Sequence, residues 1–81
     1  MTIDQIERFI GKEPDGHSKI ALKARNVEGI FIKAPDFEEL KKKNFWRIVS
    51  ISKVLEYRQS KDISLSRIFN GQEFLKLASL G

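Results

Sequence analysis

The stretch SKIALKARNVEGIFIKA, residues 18–34, decides how this chain folds. In its first half Ile20, Leu22 and Ala24 alternate with Lys19, Lys23 and Arg25, the period of a strand with one buried and one wet face. Asn26 reads as a turn residue. Residues 27–34 are then rich in β-branched and aromatic side chains, which suit a pleated, half-buried surface. Gly29 inside that run marks a bulge, a sharp bend or a close backbone approach. The stretch predicts a curved β-hairpin, strands 18–25 and 27–34.

Upstream, Thr2 and Gln5 have capping-box spacing, and Ile3, Ile6, Phe9 and Ile10 recur at helical intervals before Gly11. A helix over 2–10 is predicted, too short to be stable alone, so its apolar stripe must pack on the rest of the domain or on a partner. Residues 13–17, with Pro14, Asp15 and Gly16, have turn chemistry. Downstream, Pro35 and Asp36 end the second strand. Residues 37–43 form a charged excursion with room for a helical turn, Phe37 and Leu40 standing at i, i+3. In 45–51, Phe45, Arg47, Val49 and Ile51 interleave with Trp46, Ile48 and Ser50, so both faces carry apolar groups and the strand lies inside the sheet. After a turn at Ser52 and Lys53, strands are predicted at 54–59 and 63–69. Asn70-Gly71 is a turn signal. Phe74, Leu75, Leu77 and Leu80 fit a short C-terminal helix or a last strand, the helix being preferred.

One helix and five short, bent strands give a mostly β fold over 1–81, and curling the sheet into a small barrel of the SH3-like or Sm-like kind would remove its exposed edges. Val27-Glu28-Gly29-Ile30-Phe31-Ile32 followed by Asp36-Phe37 resembles the first Sm motif, a glycine in a bent strand with an aspartate in the next turn. Ile68-Phe69-Asn70-Gly71 looks like a degenerate second motif. That resemblance implies a helix plus a five-stranded barrel, ring assembly through strand edges, and RNA bound by loop residues. Where the Sm pattern has an asparagine soon after the aspartate, this chain has Leu40, Lys41, Lys42 and Lys43, with Asn44 later; the basic residue of the second motif is absent.

Eighty-one residues with 41% hydrophobic content fit one domain with one core. There is no cysteine and one histidine. Disulfides and Cys-rich zinc sites are therefore excluded, and close packing or self-association must support a fold this small. Asp4 and Glu7 interrupt the start, which lacks the basic flank and apolar run of a signal peptide, and no segment reaches membrane-spanning length; a cytoplasmic protein without membrane contact is expected.

The net charge of +4 is unevenly placed. Residues 1–40 carry six Lys/Arg against eight Asp/Glu, whereas residues 41–67 carry eight against two. Lys41, Lys42, Lys43, Trp46, Arg47, Lys53, Tyr57, Arg58, Lys61 and Arg67 interleave cations with aromatic rings, as a single-stranded nucleic-acid platform requires, because cations neutralise phosphates while rings stack on bases. The same residues also fit solvated loops around a core, with Phe45 and Trp46 inside it. No phosphate-cradling loop, zinc-protease pair or nucleophile elbow occurs, and His17 beside Asp15 fits a solvated turn better than an acid/base pair. A non-catalytic binding module without cofactor, metal or small-molecule substrate is expected, acting on a protein partner or on its own copies. Binding of single-stranded RNA through residues 41–67 is the alternative.

Overall fold

Thr2 and Gln5 cap the first helix as their spacing predicts. In the computed structural model, which describes residues 1–12 and 16–80, the Gln5 amide donates to Thr2 Oγ1 at 3.2 Å and the Thr2 amide donates to Gln5 Oε1 at 3.0 Å. Two amides that a helix start leaves without partners are thereby satisfied reciprocally. The helix, α1, runs Ile3–Lys12 and buries Ile6 and Ile10. Most of the turn expected at 13–17 lies outside the described residues.

Five strands follow: β1 (Ser18–Leu22), β2 (Asn26–Phe31), β3 (Phe45–Ser50), β4 (Arg67–Asn70) and β5 (Phe74–Ser79). They form one antiparallel sheet in the order β4-β3-β2-β1-β5. Two further helices, α2 (Phe37–Lys42) and α3 (Val54–Ser60), are inserted on either side of β3. Short 3₁₀ turns occupy Ile51–Lys53, Ile63–Leu65 and Gly71–Glu73. The result is a small α+β domain rather than a mostly β one. No helix among the described residues is long and apolar enough to cross a membrane.

Strand alternation divides the core in two. On one face Ile20, Trp46, Ile48 and Phe74 pack with Ile6 and Ile10 of α1. On the other, Ile30, Ile32, Ala34 and Val49 pack with Val54 of α3, with Tyr57 and Ile63 at the margin. Neighbouring residues Ile48 and Val49 therefore serve different cores, as the two-sided apolar pattern of β3 predicts. Gly29 sits where β2 and β3 approach closely: a methyl group there would collide with the Val49 carbonyl.

Several expectations are corrected. The hairpin turn comes earlier than Asn26, because the Leu22 amide donates to the Arg25 carbonyl at 2.8 Å and Asn26 already belongs to β2. Strand β2 stops at Phe31, and a turn then forms at Pro35 and Asp36, closed by the Phe37 amide on the Ala34 carbonyl at 2.9 Å. Proline at the second position of such a turn has its φ preset.

Residues 54–59 are helix, not strand. Val54 and Tyr57, three apart, both reach the second core, and Leu55, Glu56, Arg58 and Gln59 are good helix formers. Lys61 closes the helix in the left-handed region at φ 58°. Of the strand expected at 63–69, Ile63–Leu65 is a 3₁₀ turn capped by Asp62, whose Oδ1 accepts from the Ser64 amide at 3.0 Å and hydroxyl at 2.7 Å. The C-terminal segment is strand, not helix. Its pairing with β1 is irregular: Leu22 faces Phe74 but Ala21 faces Lys76, leaving Leu75 as an extra residue. The bulge puts inward-facing Phe74 and Leu77 three apart, and three is also a helical spacing.

Asn44 joins the pieces. It sits in the left-handed region at φ 62° and is buried. Its Oδ1 accepts the indole N–H of Trp46 at 2.8 Å, and its Nδ2 donates to the Met1 carbonyl at 3.0 Å. Its carbonyl accepts from the Gly71 amide at 2.8 Å. A methyl group on Gly71 would strike the Asn44 side chain and stand 2.7 Å from Ile6 Cδ1. Replacing Asn44 by alanine leaves a buried indole N–H without an acceptor and puts a less tolerant residue at positive φ, so unfolding in urea should show a loss of about 2–4 kcal/mol. Asn44→Gly should lose about 1 kcal/mol less, because only the backbone part is relieved. Equal losses for the two would show that the backbone conformation contributes nothing.

Candidate functional site

Eight of the ten candidate residues fall into three groups, and Lys42 and Lys43 belong to none of them. Trp46, Arg47 and Lys41 belong to the scaffold. Trp46 is 1% exposed, with its ring edge-on to Phe31 and Phe37 at centroid distances of 6.5 and 5.9 Å. Its aromatic surface is therefore spent in the core and offers no stacking platform. Lys41 Nζ contacts Glu7 Oε2 at 2.6 Å and Glu38 Oε1 at 3.1 Å. These bonds, Glu7 first, raise its pKa above the ordinary lysine value. The contact with Glu7 ties α2 to α1.

Arg47 projects from β3 on the face opposite Trp46. Its Nε and Nη2 donate to the Asp36 carboxylate, the closest contact being Nη2 to Oδ2 at 2.9 Å, while Nη1 donates to Ser66 Oγ at 3.1 Å. Ser66 Oγ donates in turn to the Ile63 carbonyl at 2.6 Å. One guanidinium thus fixes the turn before α2 and the segment before β4 against the same strand. The forked geometry of arginine suits this task, since a lysine could not span both partners.

Tyr57, Arg58 and Lys61 form the second group, on and just after α3. With Lys33, Ile30 and Ile32 they line a cleft of about 300 Å³. Tyr57 is half-buried against the second core, and Lys61 Nζ lies 5.7 Å from its ring centroid. Lys42 and Lys43, at the end of α2, are exposed and stand apart from this cleft.

Lys53 and Arg67 make up the third group, together with a residue outside the candidate set. Strand β4 aligns Arg67 with Ile48, and the hairpin turn before β2 brings Arg25 to the same end of the sheet. Arg25, Lys53 and Arg67 line a cleft of about 210 Å³ with Val27, Ser50, Leu65 and Phe69. A second cleft of about 500 Å³ continues from it past Phe45, Ile68, Asn70 and Glu73, sharing Arg25, Arg67 and Phe69. The Arg25 guanidinium lies 6.0 Å from the Phe69 ring centroid. No salt bridge involves these three cations among the described residues.

Arg25 and Phe69 were not legible as site residues. Arg25 stands in the acidic half of the sequence, and only the order and register of β2, β3 and β4 bring it to Arg67. No group of three or more His, Asp or Glu side chains among the described residues could hold a metal ion. His17 contributes its carbonyl, which accepts from the Leu80 amide at 2.8 Å, and Asp15 lies outside the described residues.

Hydrogen bonds from Arg47 hold the Asp36 carboxyl below the usual aspartate range, and bonds from Ser64 do the same for Asp62. A lowered folded-state pKa means that each contact stabilises the fold above the unfolded value of about 4 and is lost as the pH falls through the folded value. Urea midpoints measured from neutral pH downward should therefore fall below about pH 4, and Asp36→Asn should flatten that fall. An unchanged slope would show that the Asp36–Arg47 pair does not couple to folding. No protein-family model matches this chain, and no curated protein or solved structure matches it.

Proposed function

We propose that this chain is a non-catalytic interaction module, a small Sm-like or SH3-like barrel that associates with copies of itself by adding strand to strand. The observation that carries this reading is the pair of open sheet edges. Strand β4 pairs only with β3, and β5 only with β1, so each leaves one row of backbone amides and carbonyls without a strand partner among the described residues. Large apolar side chains stand beside both rows: Ile68 on β4 is 49% exposed and Leu75 on β5 is 61% exposed. Monomeric proteins usually blunt such edges with charge or proline, because an open apolar edge is a template for pairing. Two open antiparallel edges on one domain are complementary to each other, so the β4 edge of one copy fits the β5 edge of the next.

A barrel-like curl that stays open between β4 and β5 is supported by the connection between those edges. In a flat sheet, four strand spacings would separate β4 from β5 by about 19 Å. Only the 3₁₀ turn Gly71–Glu73 joins them, and at about 2 Å per residue it spans far less. The sheet must therefore be strongly curled, with its two end strands near one corner.

A second reading, contact with single-stranded nucleic acid, is favoured by one specific observation, the convergence of Lys53 and Arg67 with Arg25 around Phe69.

Light scattering after gel filtration should show a mass that rises with concentration. Ile68→Lys and Leu75→Lys, which put an edge-blocking charge on already exposed positions, should each return the protein to a monomer while leaving its circular dichroism unchanged. A wild-type protein that stays monomeric up to about 1 mM, where association stronger than roughly −4 kcal/mol would be visible, defeats the self-association reading.

A further inference from the structure

Beyond Gly29, strand β2 keeps only one of its neighbours. Ile30 and Phe31 face Val49 and Ile48 of β3, but β1 begins at Ser18, opposite Gly29, and supplies no residue on the other side. Residues 30–33, past that point, line the cleft of about 300 Å³ together with Ile10 of α1 and with Tyr57, Arg58 and Lys61 on and just after α3.

Its apolar and charged groups are separated by depth. Ile10, Ile30 and Ile32 are buried and form the floor, whereas Lys33, Arg58 and Lys61 are exposed and form the rim. Tyr57 stands half-buried between the two levels. No acidic side chain lines the cleft among the described residues, and neither Lys33 nor Lys61 is in an ion pair among them. Each ammonium lies instead near a ring, Lys33 Nζ 5.7 Å from the Phe37 centroid and Lys61 Nζ 5.7 Å from the Tyr57 centroid. Such contacts are weak at exposed positions and leave the ammonium hydrogens free to meet an anion.

We propose that this cleft binds a small aromatic anion, its ring on the three isoleucines beside Tyr57 and its charge at Lys33 and Lys61. The proposal goes beyond strand pairing and does not depend on it, because no residue of β4 or β5 lines the cleft. An apolar floor with a few polar groups above it is the usual build of a small-molecule site, and this volume lies at the lower end of the range, so the ligand has about one or two rings. A bare inorganic anion would use the rim and leave the isoleucine floor uncovered. An uncharged hydrocarbon would use the floor and gain nothing from cations gathered without an acid. An aromatic body also suits the half-buried Tyr57 ring, against which a second ring packs edge-on or offset.

The probe is naphthoate, a two-ring carboxylate, with naphthalenemethanol as the same rings without the charge and acetate as the charge without the rings. Nitrogen–proton correlation spectra of the full chain are followed at about 0.15 M salt, where charges more than about 8 Å away are largely screened. Naphthoate should move the amide signals of Ile30, Ile32, Lys33, Tyr57 and Lys61 together and saturably, with a Kd below about 1 mM.

Lys33→Gln with Lys61→Gln should raise that Kd at least ~5-fold, whereas Lys42→Gln with Lys43→Gln, an equal loss of charge at the end of α2, should change it under ~2-fold. All four lysines are exposed, and a spectrum as dispersed as that of the wild type confirms that each variant is folded. Shifts that fall outside the cleft, or that stay linear up to about 10 mM naphthoate, would overturn the site. Naphthalenemethanol binding as tightly as naphthoate would remove the lysines from recognition, and acetate binding as tightly would remove the isoleucine floor; either result overturns the assigned ligand.

Discussion

Burying Trp46 commits the chain to finding an acceptor for one indole N–H, and Asn44 is how it does so. A tryptophan at the centre of a domain this small supplies much of the apolar surface, but its polar atom cannot reach water. Asn44 supplies the acceptor at 2.8 Å because its backbone turns back at φ 62°, a conformation that asparagine tolerates better than most residues. The same residue receives the Gly71 amide and holds the Met1 carbonyl. The Met1 nitrogen closes the circuit by donating to the Gly71 and Phe74 carbonyls at 2.9 and 3.1 Å. The entry to α1, the entry to β3 and the corner between β4 and β5 thus meet at one residue. Gly71 can have no side chain, because any Cβ would displace either Asn44 or Ile6.

With that corner fixed, the sheet acquires a core on each face. The core under α1 needs the amphipathic stripe of the first helix, and the core under α3 needs Val54 and Tyr57 delivered from the β3–β4 connection. Arg47 supports the second arrangement from within the sheet by bonding both Asp36 and Ser66. A charged residue at this strand position is tolerable because it is only partly withdrawn from water and its donors find partners in two adjoining segments.

The N-terminal capping box, the period of two in β1, the β-branched and aromatic run of β2 with its glycine, and the two-sided character of β3 were all legible, because each depends on neighbours in sequence. What failed depended on pairing. The bulge in β5 spaces Phe74 and Leu77 as a helix would, and nothing local distinguishes the two. Val54 and Tyr57 belong to a helix because the second core lies three residues' rotation apart, yet valine and tyrosine at these positions read equally well as strand formers. Asn44 was legible only as an asparagine displaced from the Sm pattern, since its role requires Trp46, Met1 and Gly71 to be placed first. For the site, the basic character of 41–67 was legible, but which of its cations are committed to carboxylates was not.

That commitment alters the meaning of the charge segregation. Lys41 and Arg47 belong to the basic segment by position, and both neutralise acids of the preceding half, Glu7, Glu38 and Asp36. The contrast between halves is thus partly cancelled across the folded molecule, and it contributes to holding α2 and its preceding turn in place. The other cations of the segment lie at the end of α2, at the margin of α3 and at the hairpin end of the sheet. At the hairpin end two arginines and a lysine line the smaller cleft with no acid among its walls, and one of those arginines comes from the acidic half. Folding has replaced a one-dimensional block of charge with a local one. The relevant field is therefore set by which strands are neighbours, and a count along the sequence assigns Arg25 to the wrong side of it.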